Sequence, residues 1–181
     1  MTEQHTLPGD PAPRARVERI IRVDHAGEYG AARIYAGQLA VLRHSDKAAL
    51  LRHMRDQEQQ HLDSFADLMV RRRVRPTAML PVWHLAGFAL GALTAALGER
   101  AAMACTVAVE ETIDAHYSGQ IAELDASEPE LRDRLTRFRD EELEHRDIAL
   151  AHGATEAPAY RLLTAAIKAG CRAAIAISER I

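Results

Sequence analysis

One pattern occurs twice in this chain: Arg55-Asp56-x-Glu58-x-x-His61-x-Asp63 returns as Arg139-Asp140-x-Glu142-x-x-His145-x-Asp147. On a helix the Glu-x-x-His spacing puts a carboxylate and an imidazole on one face, about one turn apart. A single such motif is weak, because fifteen glutamates and nine histidines yield about one match by chance, explained by an exposed ion pair. Two copies inside the same longer pattern point to an internal duplication of one helix.

Composition and punctuation say what those helices belong to. With 34 Ala and 19 Leu against 10 Gly and 7 Pro, the chain is rich in helix formers and poor in strand formers. An all-α domain of 181 residues is long enough to bury its own core. Proline interrupts helices, and Pro76, Pro81, Pro129 and Pro158 divide the chain into long stretches. The first of these breaks again at His44-Ser45-Asp46, giving helices over residues 14–43 and 46–73 with Ser45 as N-cap. Residues 125–129 read as a turn, with Ser127 as N-cap and Pro129 at the first helical position. The second helix pair ends at Gly153. Short loops make each pair antiparallel neighbours, as in a four-helix bundle. Residues 1–16 carry Pro8, Pro11 and Pro13 and no apolar run, and read as a flexible tail before a single domain over 17–181.

An antiparallel hairpin sets at equal height two residues equidistant from its turn, so each Glu-x-x-His helix should face a carboxylate on the preceding helix. Counting back from the turn at 43–46, the partner of Glu58 falls near residue 30, and Glu28 is the nearest carboxylate. Counting back from residue 126, the partner of Glu142 falls at Glu110. The intervals agree, 30 residues from Glu28 to Glu58 and 32 from Glu110 to Glu142, and both upstream glutamates precede a tyrosine by seven positions, Tyr35 and Tyr117. Glu111 adjoins Glu110, and spacing alone does not separate the two.

One Glu from each of two helices, plus one Glu-x-x-His from each of two others, is the ligand set of dinuclear carboxylate bundles of the ferritin-like kind. Four carboxylates and two neutral imidazoles bring four negative charges, which two divalent ions neutralise. Mixed oxygen and nitrogen ligation suits iron or manganese. Asp24, one turn before Glu28, fits a partner for a ligand histidine or a capping role. Tyr35 and Tyr117 fit either core packing or a place near the metals, and the small Ala31 and Ala32 leave room beside Glu28. A net charge of -3 and a pI near 6.3 give no positive field to draw nucleic acid. Cys105 and Cys171 form no CxxC pair, which suits a reducing compartment.

The stretch Val23-Asp24-His25-Ala26-Gly27-Glu28-Tyr29-Gly30-Ala31, with Arg33-Ile34-Tyr35-Ala36-Gly37-Gln38 after it, resembles the first helix of the demethoxyubiquinone hydroxylases. Blocks around Arg75-Pro76-Thr77, Pro81-x-Trp83, Cys105 to Glu111, His116-Tyr117 and Phe138 to His145 resemble the same family in order. The resemblance implies metal ligands at Glu28, Glu58, His61, Glu110, Glu142 and His145, and so selects Glu110 over Glu111. It implies a di-iron monooxygenase of late ubiquinone biosynthesis, which hydroxylates the ring of a methoxy-lacking polyprenyl benzoquinol with O2. It further implies NADH as the reductant, relayed through the quinone, and a role in electron or proton transfer for His116 and Tyr117. The chain has no GxGxxG fingerprint.

Residues 79–97 contain no formal charge and approach transmembrane length. Were they to cross a bilayer, Glu28 and Glu58 would lie on one side and Glu110 and Glu142 on the other, which forbids a shared site. The segment is therefore expected to lie in the membrane interface, with Trp83 as anchor and Arg71-Arg72-Arg73-x-Arg75 near anionic headgroups. The last helix, residues 160–177, is a candidate to join it, and a buried oligomer contact is the competing use of such a surface. The expected partners are a lipid surface, the polyprenyl quinone, and a second copy or other ubiquinone-biosynthesis proteins. The expected location is the cytoplasmic face of the cell membrane. The same bundle would also serve a ferritin-like iron-oxidising or storage protein, or a helical adaptor stapled by its metals.

Overall fold

The computed structural model describes residues 13–124 and 126–181. The expected tail over residues 1–12, and Asp125 of the expected turn, lie outside the described residues. Among these there is no strand. The helices are α1 (Pro13–Leu42), α2 (Ala48–Arg72), α3 (Leu80–Ala96), α4 (Glu99–Glu123), α5 (Pro129–Ala151) and α6 (Tyr160–Ser178), with a 3-10 turn at Ala154–Glu156 between the last two. This is the all-α architecture expected, a bundle with an additional C-terminal helix.

Three boundaries differ from expectation. Residues 13–16, expected in the tail, already belong to α1. Ser45 does not cap α2 directly: its hydroxyl accepts the Lys47 N–H at 3.0 Å, and the helix begins at Ala48 behind Lys47. Glu128, not Ser127, stands at the N-cap of α5, with Pro129 at its first position. Between α3 and α4 the chain turns at Gly98, whose φ of 111° is open to glycine and strained for other residues.

α1 packs on α2 and α3, while α4 packs on α5 and α6. α2 and α5 meet through long side chains, with Phe65 edge-on to Phe138 at a centroid distance of 5.6 Å. Two apolar clusters close the bundle. At one end Ile20, Ile21, Phe65, Leu68, Leu131 and Leu135 are buried together. At the other, Leu51, Met54, Met103, Val107 and Ala149 form a second plug with Tyr35. The chain positions between them on α1, α2, α4 and α5 hold Glu28, Glu58, His61, Glu110, Glu142 and His145, so the polar band sits at mid-height, sealed from water above and below. No helix of the described residues is long and apolar enough to cross a membrane.

Candidate metal centre

All six residues are buried, none exposing more than 1% of its surface. They form two overlapping groups. Glu28, Glu58, His61 and Glu142 each bring a ligand atom within 4.8 Å of the others, and so do Glu58, Glu110, Glu142 and His145. Glu58 and Glu142 belong to both groups, Glu28 and His61 to one, and Glu110 and His145 to the other, which is the geometry of two neighbouring cation positions with shared carboxylates.

Both histidines turn Nδ1 inward. His61 Nδ1 lies 3.0 Å from Glu142 Oε1 and 3.5 Å from Glu28 Oε2. His145 Nδ1 lies 3.2 Å from Glu142 Oε2 and 3.1 Å from Glu58 Oε1. Their outer nitrogens are held crosswise: His145 Nε2 by Gln57 Oε1 at 3.0 Å, His61 Nε2 by Glu141 Oε2. An acceptor on Nε2 fixes the tautomer that leaves Nδ1 a free lone pair, which is how ligand histidines are oriented. Gln57 and Glu141 occupy the same position of the two repeats, one residue before the shared Glu. Both fall outside the Glu-x-x-His register, which sets Glu141 aside and gives no reason to single out Gln57; their repeated position is the signal that points to them.

The tyrosines are crossed in the same way. Tyr35 of α1 donates to Glu110 Oε1 at 2.8 Å, and Tyr117 of α4 donates to Glu28 Oε1. Glu111, by contrast, points to α6 and pairs with Lys168. Asp24 touches neither ligand-candidate histidine. Its Oδ1 accepts from Gln120 Nε2 at 2.7 Å and lies 3.5 Å from His116 Nε2, because α4 rather than α2 or α5 faces that turn of α1. His116 lies 2.8 Å from Gln120 as well.

The electrostatics state what the cluster lacks. Glu28 Oε2, both oxygens of Glu58 and Glu110 Oε2 are buried without a hydrogen bond, and unsatisfied buried acceptors are costly. Burial, with the Glu142 and Glu28 carboxylates beside it, holds Glu58 well above the usual carboxylate pKa. Burial with Glu142 and Glu58 does the same to Glu110. Burial works on Glu142 in the same direction, but hydrogen bonds from His145 and His61 prevail and bring it to about 2. His61 in turn is pushed up to about 12, since Glu142 and Glu28 outweigh its burial. Four carboxylates converging on orphaned oxygens, with two inward imidazole nitrogens, fit two divalent cations in ligand number, charge and donor type.

Beside the cluster lies a cavity of about 540 Å³ between α1, α3, α4 and α6, lined by apolar residues such as Ile34, Leu90, Val109 and Ile167 and reaching Glu28 and Tyr117. Of the two small residues expected to leave room beside Glu28, Ala31 lines it and Ala32 does not.

A helical bundle that buries two Glu-x-x-His motifs and two further glutamates at mid-height is built like the ferritin-like carboxylate proteins, whose sites hold a pair of metal ions. Within that class the chain belongs to the family of Ubiquinone biosynthesis protein COQ7, which it matches over residues 15–178. It is 56% identical over 181 residues to 3-demethoxyubiquinol 3-hydroxylase of Rhodospirillum rubrum, covering 99% of this chain and 85% of the relative. It is 57% identical over 176 residues to the human NADPH-dependent 3-demethoxyubiquinone 3-hydroxylase, mitochondrial, covering 95% of this chain and 81% of the relative. To 5-demethoxyubiquinone hydroxylase, mitochondrial, of Saccharomyces cerevisiae it is 43% identical over 187 residues, covering 94% and 80%. The match supports the hydroxylase reading and not the iron-storage alternative.

Proposed function

We propose that this chain is a di-iron hydroxylase acting on the ring of a methoxy-lacking polyprenyl benzoquinol in ubiquinone biosynthesis. The observation that carries the reading is the meeting of the apolar cavity with the carboxylate cluster at Glu28. Glu28 and His61 would hold one iron and Glu110 and His145 the other, with Glu58 and Glu142 within reach of both. Two ferrous ions bound there supply the electrons that activate O2, redox chemistry no side chain provides. The chain's own contribution is to place and dry the site: the plugs above and below keep water out, Tyr35 and Tyr117 fix Glu110 and Glu28, and the cavity holds the ring beside Glu28 and Tyr117. His116 and Tyr117 line the cavity, where they serve electron or proton transfer. The names of the mammalian relatives give NADPH where the sequence reading expected NADH, so a reduced nicotinamide is proposed as the electron source.

The test is direct. The protein is loaded anaerobically with ferrous iron, given a methoxy-lacking ubiquinol analogue and one pulse of labelled O2, and the product is weighed by mass spectrometry. One labelled oxygen in the ring is expected. Iron oxidation without labelled product would sink the reading.

Two consequences of the site's geometry are measurable without turnover. Metal binding requires ionised carboxylates and neutral imidazoles, whereas Glu58, Glu110, His61 and His145 all have raised pKa values in the metal-free cluster. Ferrous loading at neutral pH is therefore expected to release protons, and affinity to rise with pH; calorimetry in buffers of differing ionisation enthalpy would detect the release. Zero release would contradict the protonated cluster. Gln57→Ala, which frees His145 Nε2, is expected to weaken iron binding by about 10- to 100-fold. An anaerobic ferrous titration gives the number, and unchanged affinity would count against the orienting role.

A polyprenyl substrate needs an apolar route, and α3 and α6 flank the cavity. On them Leu85, Leu93 and Leu162, and Leu97 at the end of α3, are between 67% and 73% exposed, a high degree for leucine. These helices rest on a lipid surface. Of the arginines expected near headgroups, Arg72 is tied to Glu128 by two bonds of 2.8 and 2.9 Å, while Arg73 and Arg75 are exposed. Leu85→Glu with Leu162→Glu is expected to weaken vesicle binding by at least about tenfold, since even one leucine contributes roughly 1.5–3 kcal/mol when fully buried, with iron content unchanged; cosedimentation with anionic vesicles measures it. Retained vesicle binding, or a shift from dimer to monomer instead, would move this surface to a contact between copies.

A further inference from the structure

The cavity is apolar along most of its length and polar at one end, where, besides the metal-ligand candidate Glu28, one residue keeps a buried oxygen without a partner. Asp24 exposes only 3% of its surface and lines the cavity beside Glu28 and His116. Its Oδ1 is occupied by the Gln120 amide at 2.7 Å, which fixes the plane of the carboxylate. Its Oδ2 is buried without a hydrogen bond. Of the donors that line the cavity with it, the Tyr117 hydroxyl goes to Glu28, the indole of Trp83 to Ser178 Oγ at 3.0 Å, and His116 Nε2 lies 3.5 Å from Oδ1 rather than at Oδ2. A buried carboxylate oxygen left without a donor costs free energy, so its retention in an apolar cavity asks for a ligand that brings one.

We infer that Asp24 Oδ2 anchors the substrate by accepting a hydrogen bond from a ring hydroxyl of the hydroquinone, and thereby selects the reduced, hydroxyl-bearing ring over rings that carry no donor. This rests on the hydroxylase reading and adds to it the residue that recognises the ring. The placement suits the chemistry, because the same ring then lies at the end of the cavity where Glu28 brings the metal cluster. Gln120 and His116 are the positioning residues: they hold Oδ1 and leave Oδ2 without a donor.

The test compares a short-chain methoxy-lacking hydroquinone with its dimethyl ether, which has the same ring and no donor. Binding of each to the ferrous-loaded protein is measured anaerobically, for the parent and for Asp24→Asn. In Asp24→Asn the Gln120 contact keeps the amide oxygen at Oδ1, so an N–H donor takes the place of the acceptor Oδ2. The parent is expected to bind the hydroquinone about tenfold or more tightly than the ether. Asp24→Asn is expected to bind the two within about twofold of each other, with its iron content and melting temperature matching the parent. Full discrimination in Asp24→Asn, alongside labelled-oxygen incorporation by the parent, would overturn the anchor and leave the hydroxylase reading intact. A parent that binds neither ring and forms no labelled product would overturn that reading and the anchor with it. Should Asp24→Asn fail to hold iron, Gln120→Leu serves instead: it frees the carboxylate to rotate, and undiminished discrimination there overturns the proposal.

Discussion

Glu58→Gln is expected to abolish hydroxylation and to leave the metal-free protein more stable than its parent. Both effects follow from one fact: neither oxygen of Glu58 makes a hydrogen bond, and its carboxylate is squeezed between those of Glu142 and Glu28. A shared ligand lost from both cation positions should lower iron affinity by more than about 100-fold, the upper end of what even an outer partner costs. The stability change has a definite sign. Glu58 is 0% exposed and its folded pKa is raised above the ordinary 4.5, so the unfolded chain releases its proton first as pH rises. The penalty on the parent starts above that ordinary value and grows until the folded pKa is passed. A neutral amide escapes it, and the gain should be about 1 kcal/mol or more at pH 7, a few degrees in melting temperature.

Glu142→Ala makes the contrast. Its oxygens accept from both His61 and His145, so removing it takes the common partner from two buried imidazoliums, leaving His61 to Glu28 and Glu141 and His145 to Glu58, and should cost up to about 3–5 kcal/mol besides the iron. Thermal melts of metal-free protein with and without ferrous iron distinguish the two variants. Equal destabilisation by both would mean that Glu58 supports the metal-free fold after all.

The site was legible in the sequence to the extent that it is local or symmetric. Glu58, His61, Glu142 and His145 came from a repeat, and Glu28 and Glu110 from the geometry of a hairpin, which needs only a turn position and a count. Burial adds the reason for Glu110 over Glu111: at 1% exposure Glu110 takes the Tyr35 hydroxyl, while its neighbour turns to Lys168. What escaped were contacts that cross the bundle. Gln57 serves the histidine of the other repeat, not its own, and Asp24 finds its partners on α4, so no spacing within one helix reveals either. The break at Gly98 was equally hidden, because without a proline it left the stretch from α3 into α4 looking continuous.

The closeness of α1 and α3 was the other unreadable feature, and it carries the second large effect. A Cβ at Gly91 would overlap the Ile34 carbonyl oxygen, with the Gln38 amide nitrogen 3.0 Å away, and one at Gly37 would overlap the Phe88 carbonyl oxygen. These are backbone atoms of a facing helix, so no rotamer change relieves the overlap and the helices must separate. Gly91→Ala is expected to cost about 2–4 kcal/mol, lowering the melting temperature by roughly 5–15 °C. Leu93→Ala, on the exposed side of the same helix, should stay within about 0.5 kcal/mol. None of the six metal-ligand candidates lies on α3, so iron stoichiometry should survive in Gly91→Ala below its melting point. Quinol turnover should fall much further, because α3 forms the cavity wall through Trp83, Gly87 and Leu90. Calorimetry and an iron assay on the same preparation decide it. Iron and turnover lost in step would make α3 part of the metal scaffold, whereas turnover lost alone separates the four helices that hold the chemistry from the one that admits the substrate.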